Sequence, residues 1–284
     1  MKINIPLSVP GKYKKIYEKN FLEATHKTGN LFLFAGDQKI EHLNEDFSTK
    51  LNLGNSQPEH LFKIAEKSNI GVFAAHLGLI SRYGEKYKKI PYLVKLNGKT
   101  NLVKTQDPLS LALWTVEDTI EFKKQSGLKI LGVGYTLYLG SEYENEMMVE
   151  AAQIIKKAHQ NGLIAVLWIY PRGKNVKEEK SLEILSGAAG VGLCLGADFV
   201  KLNYPFDDKE SDAKKFQEVI IAGGNTGIIC SGGEKIKGEK ILKMIKNQND
   251  IAGARGCAIG RNLHQNDLKT AINLANKIKD IISK

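Results

Sequence analysis

The chain has 284 residues, 42% of them hydrophobic and 25% charged, with a formal net charge of +10. That is enough apolar sequence for one large barrel-type domain or two smaller ones. No apolar run reaches membrane length, and no composition break or Ser/Pro-rich linker divides the chain. The positive charge suits an anionic partner, yet the lysines are scattered over nearly every predicted helix, as at Lys12, Lys156, Lys214 and Lys277. Solvated helix faces explain that pattern better than a nucleic-acid patch, with local attraction of phosphates second.

The amino terminus has no long apolar region of the kind that forms a secretory leader. The three cysteines, Cys194, Cys230 and Cys257, have no CxxC spacing, and the last two lie in apolar runs. Buried free thiols in a reducing cytoplasm are expected. A helical pattern over 13–28, with Ile16, Phe21 and Leu22 as its apolar positions, ends near Gly29. Residues 1–29 therefore read as an extension and helix placed before the first strand.

Eight strand-like runs follow, at 31–36, 70–75, 92–96, 129–134, 163–170, 198–202, 227–230 and 256–259. Helical patterns lie between most of them, at 59–68, 108–126, 146–160, 211–222, 238–249 and 267–282. The connection 77–90 is rich in Gly, Tyr and Lys and has room only for a short helix. Continuously apolar strands separated by amphipathic helices indicate a parallel sheet covered by helices. Eight of them fit a single closed (β/α)8 TIM barrel spanning 1–284 better than an open sheet.

In such a barrel the active site lies at the carboxyl ends of the strands. Those ends carry Asp37, His76, Lys95, Asn97, Tyr135, Trp168, Tyr170, Arg172, Lys201, Tyr204, Ser231 and Arg261. Lys201 stands inside the apolar run Phe199-Val200-Lys201-Leu202, where an unpaired charge costs several kcal/mol, of order 3–5. It is either salt-bridged, the commoner case, or a free amine ready to attack a carbonyl. The turns Ser231-Gly232-Gly233 and Gly260-Arg261 follow the seventh and eighth strands, where this fold most often holds phosphate. Glycines let backbone N–H groups approach an oxyanion, and arginine adds a forked donor.

Trp168 and Tyr170 share one strand face and point into the barrel mouth. A buried phenol beside a lysine is a candidate acid/base, although both rings could equally plug the core. Asp37 could orient the lysine, pair with the tyrosine or cap a turn; Glu41 and His42 have similarly open roles. The six histidines form no HxxxH, HxH or HExxH spacing, so zinc has no local support. No dinucleotide or P-loop fingerprint is complete.

The segments Leu93–Thr100 (LVKLNGKT), Val133–Ser141 (VGYTLYLGS), Val166–Gly173 (VLWIYPRG), GADFVKLNYP, CSGGEK and AIGRN occur in one order along the chain. With them, residues 32–273 resemble the archaeal-type class I fructose-1,6-bisphosphate aldolases and related sugar-phosphate aldolases. The resemblance implies a Schiff-base mechanism with neither metal nor cofactor, in which Lys201 forms the iminium. It implies Tyr170 as general acid/base and Asp37 as the assisting carboxylate. Ser231, Gly232, Gly233, Gly260 and Arg261 would hold phosphate, with Trp168, Arg172 and His42 as further substrate contacts. It further implies a cytoplasmic homo-oligomer, often a decamer, acting on a phosphorylated sugar in glycolysis or gluconeogenesis, with no nucleic-acid or membrane partner.

One motif departs from the family's Asp-His-Gly-x-Glu-His-Gly: here it reads Asp37-Gln38-Lys39-Ile40-Glu41-His42-Leu43. Loss of two glycines is expected to stiffen this loop and alter its contact with the far phosphate. The alternatives are a transaldolase-type 2-amino-3,7-dideoxy-heptulosonate synthase and, more remotely, a non-catalytic anion- or RNA-binding barrel.

Overall fold

The computed structural model describes residues 3–283. Eight parallel strands close on themselves in sequence order, so the barrel has no free edge. The strands are β1 (Leu31–Ala35), β2 (Val72–His76), β3 (Tyr92–Lys95), β4 (Ile130–Leu139), β5 (Ile164–Pro171), β6 (Phe199–Leu202), β7 (Gly227–Ser231) and β8 (Gly256–Ile259). Helix α1 (Lys14–Ala24) precedes β1, and α2 (Gln38–Glu41) and α3 (Glu59–Lys67) follow it. The later helices are α4 (Leu77–Tyr83), α5 (Val116–Ser126), α6 (Glu144–His159), α7 (Leu182–Leu195), α8 (Glu210–Gly223), α9 (Gly238–Asn247), α10 (Arg261–His264) and α11 (Leu268–Ile282).

The (β/α)8 reading of the sequence is thus realised, including a short α4 between β2 and β3. Several boundaries differ for physical reasons. The predicted helix 108–126 begins only at Val116, because Thr115 caps it and Asp118 closes the capping box. The first helix stops at Ala24, and Ile16 on it is exposed while Tyr17, Asn20 and Ala24 face inward. Helix α7 had no counterpart in the sequence reading. It is almost uniformly apolar and glycine-rich, so its buried and exposed faces carry no contrast.

Two-residue alternation divides the strand side chains into two cores. Leu33, Ala35, Val72, Ala74, Leu93, Val166, Trp168, Phe199, Ile229 and Ala258 pack inside the barrel. A larger layer, including Phe73, Val94, Ile169, Val200 and Ile228, meets the helices outside. Gly134 on β4 makes room for the indole of Trp168; a Cβ there would lie 2.4 Å from the ring. The same alternation, carried to the strand ends, aims Lys95, Tyr170, Lys201 and Ser231 into the barrel mouth.

The opposite end is sealed by polar bonds. Asp198, just before β6, accepts from the Tyr17 hydroxyl, from the Ala165 N–H at 2.7 Å and from His159 Nε2 at 3.1 Å. The other ring nitrogen of His159 meets the Ser8 hydroxyl at 2.7 Å. This chain resembles a hydrolytic relay in outline, but its carboxylate is saturated and serves to clamp the amino-terminal segment under the barrel.

Candidate active site

A cleft of about 570 Å³ opens at the carboxyl ends of the strands. Its wall includes Asp37, Glu41, His42, Tyr138, Tyr170, Arg172, Lys201, Ser231, Gly232, Gly233, Gly260 and Arg261. Every residue expected at the site except Trp168 therefore lines one cleft, from five different segments of chain.

Two buried lysines stand in the barrel, and their surroundings separate them. Lys95 is fully buried, and its Nζ donates to the Asn97 carbonyl at 2.7 Å and to Asn97 Oδ1 at 2.8 Å. Asn97 is itself fixed, donating to the Ser110 and Thr136 carbonyls. Lys201, 5% exposed, has no hydrogen-bond or ion-pair partner among the described residues; its Nζ lies 5.5 Å from the Trp168 ring centre. Burial lowers its proton affinity, Asp37 and then Glu41 oppose that, and Arg261 adds to it. Of the two lysines, Lys95 is the hydrogen-bonded structural group, and Lys201 is the one that no salt bridge holds among the described residues.

Tyr170 lines the same cleft as this amine. Burial, followed by the charges of Glu41 and Asp37, raises its phenol well above the usual range, while Arg172 and Arg261 act the other way. Tyr138 stacks near it at 6.3 Å between ring centres. The Arg172 guanidinium lies 5.9 Å from both rings and is steadied by Glu179, 3.3 Å from its Nε. Asp37 is buried directly after β1, and its Oδ1 has no hydrogen-bond partner among the described residues. An acceptor left open in that way costs about 1–3 kcal/mol, which marks a place where a ligand donor fits.

The glycine turns are held in shape from behind. Asn262 Nδ2 donates to the Gly232 and Glu234 carbonyls, each at 2.9 Å, and its Oδ1 accepts from the Ile236 N–H. Arg261 Nε donates to the Gly233 carbonyl at 3.2 Å, and Ser231 Oγ donates to Asn203 Oδ1 at 3.0 Å. The Gly232 N–H donates to the Ala258 carbonyl at 3.0 Å, whereas the N–H groups of Gly233 and Gly260 make no backbone bond among the described residues and are left for an anion.

Several expectations need correction. Trp168 is 1% exposed and lies one layer beneath Tyr170, under the two lysine amines, so it does not reach the cleft wall. Tyr135 points outward, where its hydroxyl donates to Glu150 at 2.7 Å; β4 runs five residues past its predicted end and presents Tyr138 instead. Tyr204 packs against Phe206 and Phe216, and its neighbour Asn203 faces the cleft. His76 is buried at the end of β2, bonded through Nδ1 to the Lys95 carbonyl. Among the described residues no three His, Cys, Asp or Glu side chains converge as a metal site.

The loop that departs from the family motif has one left-handed residue, at the position of the motif's last glycine. Leu43 adopts φ 51°, the left-handed conformation that glycine takes without strain. Lys39 folds over the Phe47 ring, 4.0 Å from its centre, and is not part of the cleft wall. Gln38 does line the cleft, pressed against Gly260. His42 is bound through Nδ1 to Asp46, which raises its affinity for a proton.

Comparison with known proteins agrees with this arrangement. The family profile described as DeoC/LacD family aldolase matches residues 31–266. A Methanocaldococcus jannaschii protein named fructose-bisphosphate aldolase/6-deoxy-5-ketofructose 1-phosphate synthase is 57% identical over 277 residues, 97% of this chain and 89% of that protein. Among solved structures, a fructose-bisphosphate aldolase from Slackia heliotrinireducens superposes with TM-score 0.95 at 46% identity, covering 99% of this chain and 90% of that one. An archaeal fructose-1,6-bisphosphate aldolase, solved with its catalytic lysine bound to the carbinolamine intermediate, gives TM-score 0.81 at 30% identity over 94% of this chain and 100% of the other. With its closed barrel and its profile match over 31–266, the chain belongs to the DeoC/LacD aldolase family.

Proposed function

We propose that this chain is a class I aldolase that reversibly cleaves fructose 1,6-bisphosphate to dihydroxyacetone phosphate and glyceraldehyde 3-phosphate. The observation that carries the reading is the buried, unpartnered amine of Lys201 in a cleft shared with Tyr170, Asp37 and two glycine turns. The names of the related aldolases supply the substrate.

The chemistry follows from the placement. Burial disfavours the ammonium, so Lys201 attacks the C2 ketone as an amine, and loss of water leaves an iminium. The iminium draws electrons from the C3–C4 bond, and cleavage leaves an enamine on Lys201. Tyr170 takes the proton of the C4 hydroxyl during cleavage and returns it to the aldehyde oxygen during condensation. Its resting phenol is neutral; the new cation on Lys201 and the guanidinium of Arg172 favour the phenolate when it is needed. Asp37 orients Lys201 and supports proton transfer. Ser231, Gly232, Gly233, Gly260 and Arg261 grip one phosphate, while Arg172 and His42 meet the other end of the sugar. That remote grip positions the breaking bond. Trp168 acts from beneath, as a ring under the reacting amine.

A second reaction is favoured by the M. jannaschii relative, whose name includes synthesis of a sugar carrying a single phosphate. The two glycine turns, gripping one phosphate between them, suit such a product. The relatives reported above bear the aldolase name rather than that of a heptulosonate synthase, and the scattered lysines give a nucleic-acid reading no support. Leu102, Val103, Leu111 and Leu113 are exposed, which supports a homo-oligomer; a cytoplasmic site fits the free cysteines.

The test compares initial rates of fructose 1,6-bisphosphate cleavage with condensation onto aspartate semialdehyde. Cleavage dominating supports the reading; condensation alone would replace it with the transaldolase.

A further inference from the structure

His42 is the only histidine on the cleft wall among the described residues. An imidazole with the ordinary pKa of 6.5 is mostly neutral at about pH 7.5 and holds a phosphate weakly. A partner that fixes its protonation is in place: Asp46, a buried carboxylate that is not itself part of the cleft wall. We propose that Asp46 is a positioning residue, which presents His42 to a substrate phosphate as a cation and holds Arg261 beside it. The proposal rests on the reading of the cleft as a sugar-phosphate site.

Local structure brings these groups together. Helix α2 ends at Glu41, and the His42 N–H closes its last turn on the Gln38 carbonyl at 2.8 Å. Leu43 then takes its left-handed φ of 51°, and the Glu45 N–H returns to the His42 carbonyl at 3.0 Å. The chain doubles back and sets Asp46 Oδ2 2.5 Å from His42 Nδ1. The same oxygen lies 3.9 Å from Arg261 Nε. Oδ1 accepts from Gln265 Nε2 at 3.4 Å, and the Asp46 carbonyl accepts from Asn55 Nδ2 at 2.5 Å. One carboxylate, anchored from two sides, thus joins a residue of the glycine-turn grip to the residue assigned to the other end of the sugar.

With Nδ1 donating to Asp46, Nε2 is the ring nitrogen left for a ligand, and it donates to phosphate only when it carries the second proton. The bond to Asp46 is the largest influence on His42 and raises its proton affinity; burial opposes it, the charges of Asp46 and Glu41 add to it, and Arg261 acts against it. Burial pushes the Asp46 carboxyl up, yet the bond and charge of His42, with Arg261 and His264, bring it below the usual range, so it stays ionised. Among the described residues, the titratable groups facing the pair are therefore Glu41 on α2 and Arg261 and His264 on α10. An incoming phosphate meets an imidazolium and a guanidinium that are already oriented. That ordering precedes binding, so its effect falls on affinity rather than on bond cleavage.

The experiment measures steady-state cleavage of fructose 1,6-bisphosphate by the full-length chain from about pH 6 to about pH 9, for the unaltered protein and Asp46→Asn. Asp46→Asn keeps the shape and removes the charge, so KM at about pH 7.5 should rise about 10-fold, with kcat changed far less. The KM penalty should shrink towards about pH 6, where the ring in the variant regains its proton. Ionisation of the substrate is common to both proteins and cancels in their ratio. In a His42→Gln background, Asp46→Asn should add no pH-dependent loss. A purely structural role would raise KM equally at every pH or lower kcat with it. Either result overturns the proposal, as does a pH-dependent penalty that survives in the His42→Gln background. Should Asp46→Asn fail to fold, the His42 ring is titrated by NMR in the unaltered protein, with His42→Gln identifying its signal. A midpoint above 6.5 supports the proposal, and one at or below 6.5 overturns it. Unaltered protein that neither cleaves the bisphosphate nor forms a Lys201 adduct with dihydroxyacetone phosphate would overturn the sugar-phosphate reading itself.

Discussion

His264 ties acid stability to the loop that carries part of the active site. It ends α10 with its ring fully buried, stacked on Phe47 at 4.7 Å, and its Nδ1 meets Asn55 Oδ1 at 2.8 Å. Its Nε2 is buried with no partner among the described residues, so a second proton has nowhere to bond. Burial pulls its pKa from 6.5 to about 3, against the attraction of Asp46. The unfolded chain therefore binds this proton first as pH falls, and stability is lost between pH 6.5 and about 3. At about pH 5 the loss from His264 is about 2 kcal/mol, from roughly 1.5 pH units at 1.36 kcal/mol each. His76, pulled to about 4 by burial and Lys95, adds a similar loss of about 2 kcal/mol. His42 works in the opposite direction, because Asp46 raises it.

The variant is His264→Phe, which keeps an aromatic ring against Phe47. Urea unfolding is measured at about pH 7.5 and about pH 5, and the difference between the two free energies should shrink by about 2 kcal/mol. Any fixed cost of the substitution cancels in that difference. Cleavage activity of the unaltered protein should fall over the same pH interval, since Phe47 and Asn55 hold the loop bearing His42 and Asp46. An equal pH penalty in variant and parent would refute the argument.

Gly260→Ala places a Cβ 2.2 Å from Gln38 Nε2 and 3.0 Å from the Ala35 carbonyl. The crowding should cost about 1–3 kcal/mol in stability. Loss of one close N–H contact to phosphate should raise KM for the bisphosphate about 10-fold or more, read from steady-state kinetics. Lys95→Met should keep the Lys201 adduct while losing about 1–3 kcal/mol in urea unfolding, because the Asn97 carbonyl loses its donor. Dialysis against EDTA should leave the cleavage rate unchanged; loss that zinc restores would contradict a metal-free mechanism.

The barrel was readable because each strand is short, continuously apolar and bounded by turn residues, and parallel burial writes that pattern plainly. Lys201, Tyr170 and the glycine turns were readable for a related reason: polar groups break the apolar pattern at strand ends. Tyr138 was hidden because β4 outruns its predicted end, which made Tyr135 appear to be the terminal residue. Trp168 was misplaced by one layer, since alternation gives a side chain's face but not its depth. The different fates of Lys95 and Lys201 depend on Asn97 folding back onto one amine, a contact that spacing alone does not reveal. Leu43 shows the converse limit: a position where the sequence suggested lost flexibility still adopts a left-handed turn.

The central claim is that Lys201 is the amine that bonds the substrate. Its most direct test is borohydride reduction in the presence of dihydroxyacetone phosphate, followed by peptide mass mapping. The expected result is a single reduced adduct on Lys201, abolished in Lys201→Met and retained in Lys95→Met. An adduct on Lys95, or none on either lysine, would contradict it.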